Sequence, residues 1–187
     1  MFLDAPKQYE TLLKTFEVFS SSLIADRSLL IIQDYLYFPA YQIALFCHGL
    51  KEYFEPLHCL GRGSTVSFKV KKRIDNFHNY QEKYDYRHWT DLQHDNAWNE
   101  TLNQLPPIAR VKLELGKVLS LYDRNRKDEA IQILKGMKIS DGQTKKAISV
   151  ANTLGNRYPE LVDILIPGIS IKNKLKWNIK KLVKLIS

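Results

Sequence analysis

The sequence predicts a mainly α-helical protein. Its parts are helical hairpins or a bundle, a small strand-and-loop segment around residues 50–70, and an amphipathic helix at the C-terminus. Three observations predict this. Apolar side chains recur three and four residues apart over most of the chain. That rhythm fails between Leu50 and Val70, where Pro56, Gly61 and Gly63 interrupt it. The last nineteen residues, Ile169 to Ser187, combine an apolar stripe with six lysines and no acid.

In chain order, Asp4 is a candidate N-cap for a helix carrying Tyr9, Leu12, Leu13, Phe16, Phe19 and Leu23. Leu29 to Ile32 is a short continuous apolar run that reads as a buried strand or a short helix. Pro39 suits the first turn of a helix through Tyr41 to Cys47 that stops near Gly49. Tyr53, Phe54, Leu57 and Cys59 then sit in strand and loop. From Lys71 the spacing of Ile74, Phe77 and Tyr80 predicts helix again, and the period of 81–100 is unclear. Pro106 and Pro107 mark a boundary. Beyond it, Val111, Leu115, Val118, Leu119 and Tyr122 form one stripe, and Ala130, Ile131, Ile133 and Leu134 the next, with a polar turn from Asp123 to Asp128 between them. This pair has the look of half a tetratricopeptide-type unit, but only one such unit is visible, so an ordinary helical hairpin is the better description. Ser140 and Asp141 start another helix, Tyr158 to Ile166 a short one, and Pro167–Gly168 break the chain before the tail. Three regions follow: 1–105, 106–168 and 169–187.

Composition excludes several classes. With 187 residues, 44% hydrophobic and 26% charged, the chain can bury a sizeable core, and 11% aromatic content argues against disorder. No apolar run is long enough to span a bilayer, and the start, MFLDAPKQYE, lacks the basic-then-apolar pattern of a secretion signal. Two cysteines, Cys47 and Cys59, do not make a disulfide scaffold and read as reduced thiols of a cytoplasmic protein. The net charge is +8, and the tail lysines account for six of it, leaving a body near +2. So local a charge weighs against a nucleic-acid-binding body.

The tail stripe is Ile171, Leu175, Ile179, Leu182, Val183 and Ile186. Lys172, Lys174, Lys176, Lys180, Lys181 and Lys184 lie mainly off it, and Trp177 sits at its flank. An indole at the headgroup boundary and lysine heads toward anionic lipid define an interfacial helix. The expected partner is therefore an anionic membrane surface, with the protein peripheral at the inner membrane face. The alternatives are a core helix with a solvated lysine face, RNA, or an acidic protein partner.

Signatures of chemistry are sparse. His48, His58, His78, His88 and His94 form no HExxH, and no Cys-x-x-Cys is present, so no metal site is expected. No glycine-rich nucleotide motif and no GxSxG elbow occurs, and no cofactor is implied. Arg87, His88, Trp89 and Asp91 cluster in sequence and read as surface or interface.

One longer segment carries a resemblance. It is QDYLYFPAYQIALFCHGLKEYFEPLHCLGRGSTVS, Gln33 to Ser67, led in by FSSSLIADRSLL. It resembles the part of bacterial family-2 glycosyltransferases, of the GT-A-type fold, that follows their catalytic acidic pair. Asp34 matches the second acid, Gly49 the turn after an aromatic-rich helix, and Glu55, Pro56, Leu57 and His58 the end of a strand. Arg62, Gly63 and Ser64 match the closing turn. The lysine-rich tail is similar to those of capsule and cell-surface polysaccharide transferases. The resemblance implies Asp34 as general base toward an acceptor hydroxyl, with His58 or Arg62 holding acceptor or diphosphate. Gln33 stands where the first acid belongs, no Asp-x-Asp occurs, and 33 preceding residues cannot hold the nucleotide-binding half. Asp34 also reads as a helix cap before Tyr35.

Two functions follow. One is a C-terminal portion or relative of a membrane-associated glycosyltransferase of surface polysaccharide synthesis, which needs its nucleotide-binding half from elsewhere. The other is a non-enzymatic helical adaptor that binds a membrane surface or a protein partner through its basic tail.

Overall fold

A continuous apolar run at Leu29–Ile32 and an alternating segment at Val66–Val70 build a small sheet, and helical segments build most of the rest. The computed structural model describes residues 1–4, 8–59, 64–137 and 158–165. They form a mainly helical protein with one four-stranded mixed sheet. The strands are β1 (Phe2–Leu3), β2 (Leu29–Ile32), β3 (Phe54–Cys59) and β4 (Val66–Val70). The helices are α1 (Tyr9–Phe19), α2 (Gln42–Gly49), α3 (Gln81–Tyr84), α4 (Asp91–Gln104), α5 (Pro107–Asp123), α6 (Lys127–Gly136) and α7 (Pro159–Leu165). The chain divides into two compact units, Met1–Ala130 and Ile131–Ser187.

The sheet order is β1-β2-β4-β3, with β1 parallel to β2 and the other pairs antiparallel. In β4, Val66, Phe68 and Val70 are buried while Ser67 and Lys69 are not, the period-two pattern of a sheet covered on one face. Leu30 and Ile32 of β2 join that buried face. β3 is an edge strand and carries Pro56, beside which its register with β4 shifts between Pro56 and His58. The run Leu29–Ile32, open to either reading in the sequence, is thus a strand.

α1 places Tyr9, Leu12 and Phe16 against the core. α2 is buried from Gln42 to Cys47, all round rather than along one stripe. An aromatic cluster fills the space between them: Phe16 and Phe46 meet edge to face at 4.7 Å, and Phe77 stacks on Tyr84 at 4.4 Å. In the second unit, α7 buries Leu161 and Val162, with Tyr158 buried just before it.

Several expectations are corrected. Asp4 does not cap α1; the N-cap is the extended Gln8, which makes no side-chain capping bond. Strands also occur outside 50–70, at Phe2–Leu3 and Leu29–Ile32, because β1 pairs with a partner far along the chain. The chain does not turn helical at Lys71. Lys71 N–H bonds Tyr53 C=O at 2.7 Å and stays tied to the hairpin, and a 3-10 turn begins only at Phe77. The three-residue spacing of Ile74, Phe77 and Tyr80 suits a 3-10 turn as well as an α-helix. The expected helix after Ser140 and the terminal helix 169–187 lie outside the described residues. Among the described residues no helix is long and apolar enough to cross a membrane.

Candidate functional site

Asp34 follows β2 in a turn with φ of 57°, so it caps no helix. Asp tolerates the left-handed region because its short side chain can hydrogen-bond locally. Ser64 Oγ donates to Asp34 Oδ1 at 2.9 Å, and Leu36 N–H donates to Ser64 C=O at 3.0 Å. Residues 34–36 are thereby tied to Ser64, two residues before β4. Asp34 is half-buried and His58 is exposed on β3. β4 lies between the strand that leads to Asp34 and the strand that carries His58, so the sheet does not make them neighbours. Arg62 lies outside the described residues, as do Lys172, Lys174, Lys176, Trp177, Lys180, Lys181 and Lys184. Among the described residues no group of three or more His, Cys, Asp or Glu is placed to hold a metal ion.

A different region of the first unit offers a cleft. It is open and has a volume of about 540 Å³. One wall is α4, which presents Gln93, Asn96 and Glu100. These are spaced i, i+3, i+7 and share one helix face. The other wall is the end of α2 and the following turn, with His48, Lys51 and Glu52. Glu82, Lys83 and Trp89 complete the lining. Gly49 makes this closure possible: a Cβ there would stand 2.3 Å from Lys83 O and 2.6 Å from Tyr84 Cα.

His48 is the most constrained group of the cleft. Its Nδ1 is buried without a hydrogen-bond partner among the described residues, and its Nε2 lies 4.0 Å from Glu100 Oε2. Lys51 Nζ donates to that same Glu100 oxygen. The Trp89 ring meets the His48 ring edge on at 6.0 Å. Burial lowers the His48 pKa to about 4; the nearby Lys51 cation adds to this and Glu100 opposes it. The imidazole is neutral at physiological pH. Glu100 is held below the usual carboxylate range, first by its hydrogen bond from Lys51.

Behind the cleft, α4 is locked to the turn after α5. Arg126 makes two parallel 2.9 Å bonds to Asp95, and its Nε bonds Glu129 at 2.7 Å. Arg124 reaches Asp91 Oδ1 at 3.0 Å and Trp89 C=O at 2.7 Å. The fully buried His94 accepts from Trp98 Nε1 at 3.2 Å, which leaves its proton on Nδ1 in the neutral ring. Asp95 Oδ1 is 3.7 Å from that nitrogen, too far for a hydrogen bond. Burial lowers the His94 pKa to about 4, with the Arg124 cation next in effect. The cluster Arg87, His88, Trp89, Asp91 that the sequence marked as surface or interface is split. Arg87 forks onto the buried Asp85 at 2.7 Å through both nitrogens and lies 4.9 Å over the Tyr9 ring, while Trp89 turns toward His48.

The sequence reading missed the cleft. Its readable signal was Thr90 with Gln93, a reciprocal capping box that starts α4. Compared with models of known families, with curated proteins and with solved structures, the chain matches none.

Proposed function

We infer that the protein is a helical adaptor that brings a nearly neutral body to an anionic membrane surface through residues 169–187. In this reading the tail is an amphipathic helix lying in the plane of the interface. The protein is then cytoplasmic and peripheral at the inner membrane face. The observation that carries the reading is the partition of charge. In the body, Arg126 faces Asp95, Arg124 faces Asp91, Arg87 faces Asp85, Lys83 faces Glu52 and Lys69 faces Asp26. The six tail lysines share their segment with no acid. Lysines near an anionic leaflet contribute roughly 1 kcal/mol each, enough together for useful affinity. The test is co-sedimentation with vesicles of phosphatidylcholine alone and of phosphatidylcholine mixed with phosphatidylserine. Binding is expected only to the mixed vesicles, weakening as salt rises, and is expected to be lost when all six lysines are replaced by Gln. A chain that stays in solution with the anionic vesicles overturns the reading.

A second reading has its own observation. The hydrogen bond from Ser64 to Asp34 brings together the acid and the serine, two of the residues on which the glycosyltransferase resemblance rests. Asp34 would then serve as general base, beside a nucleotide-binding half supplied elsewhere. Asp34→Asn is expected to abolish sugar transfer in the intact system with folding unchanged. Unchanged transfer removes this reading.

A further inference from the structure

The cleft beside α4 has no part in the membrane reading and stands independently of it. We propose that this cleft is a binding site for a neutral polyhydroxy ligand of the size of a pyranose ring. The first ground is the gap between His48 Nε2 and Glu100 Oε2. At 4.0 Å it is too long for a direct hydrogen bond. It does fit two bonds of about 2.8 Å each that meet at one shared oxygen.

The two sides of the gap have opposite hydrogen-bonding character. His48 Nδ1 is buried and unpaired among the described residues. Trp98 forces the proton of His94 onto its buried Nδ1, but no such bond fixes His48, and an orphaned buried N–H costs more than an unpaired lone pair, so the neutral His48 ring carries its proton on Nε2. Nε2 therefore donates, and the Glu100 carboxylate accepts. A hydroxyl does both at once. A phosphate or carboxylate would meet the Glu100 charge, and an ammonium would meet the Nε2 proton. One water satisfies the same pair, but the cleft of about 540 Å³ is far larger than a water.

The remaining groups agree with the same ligand class. Gln93 and Asn96 lie on the α4 face that carries Glu100; the Asn96 amide offers donors and an acceptor to neighbouring hydroxyls, while Gln93, whose Oε1 already accepts from Thr90 N–H, offers its amide N–H donors. Lys51 and Lys83 are matched by Glu100 and Glu52, and Glu82 leaves the lining one charge negative, so the cleft exerts no net pull on an anion. Trp89, 9% exposed, shows the cleft only a small part of its indole, an apolar contact for C–H groups of a ligand.

The experiment uses the full chain in solution. Side-chain amide signals of Gln93 and Asn96 and the imidazole signals of His48 are followed by NMR. The titrants are glucose, galactose, mannose and N-acetylglucosamine, with inorganic phosphate as the anionic comparison. At least one sugar is expected to give saturable shifts at these residues with a millimolar Kd. Glu100→Ala, at a half-exposed position, is expected to weaken that binding about tenfold, and Asn96→Ala, at a second exposed position, to weaken it as well. The proposal is overturned if no sugar shifts these signals saturably while the spectrum remains that of the folded protein. It is equally overturned if the shifts persist undiminished in both variants, or if phosphate alone produces them.

Discussion

A single hydrogen atom at Gly49 decides how closely α2 and α3 approach. The atoms that a Cβ would strike, Lys83 O and Tyr84 Cα, belong to backbone and cannot rotate away. Gly49→Ala is therefore expected to destabilise the protein by about 2–3 kcal/mol, read as a lower urea midpoint. An unchanged midpoint would mean that the two segments part without cost. Asp34 presents the opposite case, a non-glycine residue at positive φ. Its turn is held by Ser64, so Ser64→Ala is expected to cost about 1 kcal/mol by the same measurement. Neither residue was legible in these terms from the sequence. Gly49 read correctly as a helix stop, but its clash partners lie more than thirty residues on, and only the fold brings them close.

Among the elements, α5 and α6 were readable, and the reasons are local. Pro106–Pro107 end one helix and open the next, and the polar residues Arg124 to Arg126 separate the two apolar stripes. α4 was not readable by periodicity. Its buried positions are His94, Ala97, Trp98 and Thr101, a true i, i+3, i+4, i+7 stripe in which two of the four members are polar. The stripe is concealed because two of its members are polar by type yet buried, His94 with its Nε2 accepting from Trp98 Nε1. Its start signal survives in the capping box, where Gln93 N–H donates to Thr90 Oγ1 at 3.2 Å and Thr90 N–H to Gln93 Oε1 at 2.8 Å. Thr90→Ala is expected to cost about 1 kcal/mol, and Thr90→Ser much less, in thermal unfolding. Equal losses for the two substitutions would remove the hydroxyl from the explanation. β1 was invisible for another reason: two residues carry no period, and their pairing with β2 spans nearly thirty residues.

The molecule as a whole should be sensitive to acid. His48 and His94 are each held neutral, with pKa values of about 4, against about 6.5 for an unfolded histidine. The unfolded chain thus takes up protons that the folded chain refuses. Stability is complete above about pH 6.5 and falls as pH drops toward 4, by up to about 2.7 kcal/mol per unit if both rings act together. Asp85, Asp95, Glu100 and Glu129 have lowered pKa values and extend the loss to still lower pH. For Asp85 the chief cause is its hydrogen bond from Arg87. For Asp95, burial pushes the other way and the bonds from Arg126 outweigh it. Thermal unfolding followed from pH 7 to pH 4 should show a continuously falling Tm, and a flat profile would show that neither histidine resists its proton. At this scale the sequence was informative about charge and silent about the cleft. Charge is counted residue by residue, whereas the cleft exists only once α2, α3 and α4 have met.

The outer strand β3 bears on how the protein behaves in a crowded solution. An open sheet ends in backbone groups with which a neighbouring molecule can pair, and that pairing is the first step toward fibres. Pro56 takes one donor away from this border, and the shift in register beside it breaks the straight line along which a foreign strand would have to lie. The irregularity that makes β3 a poor strand by propensity thus also makes it a poor template, and helps molecules sharing this fold stay separate when concentrated.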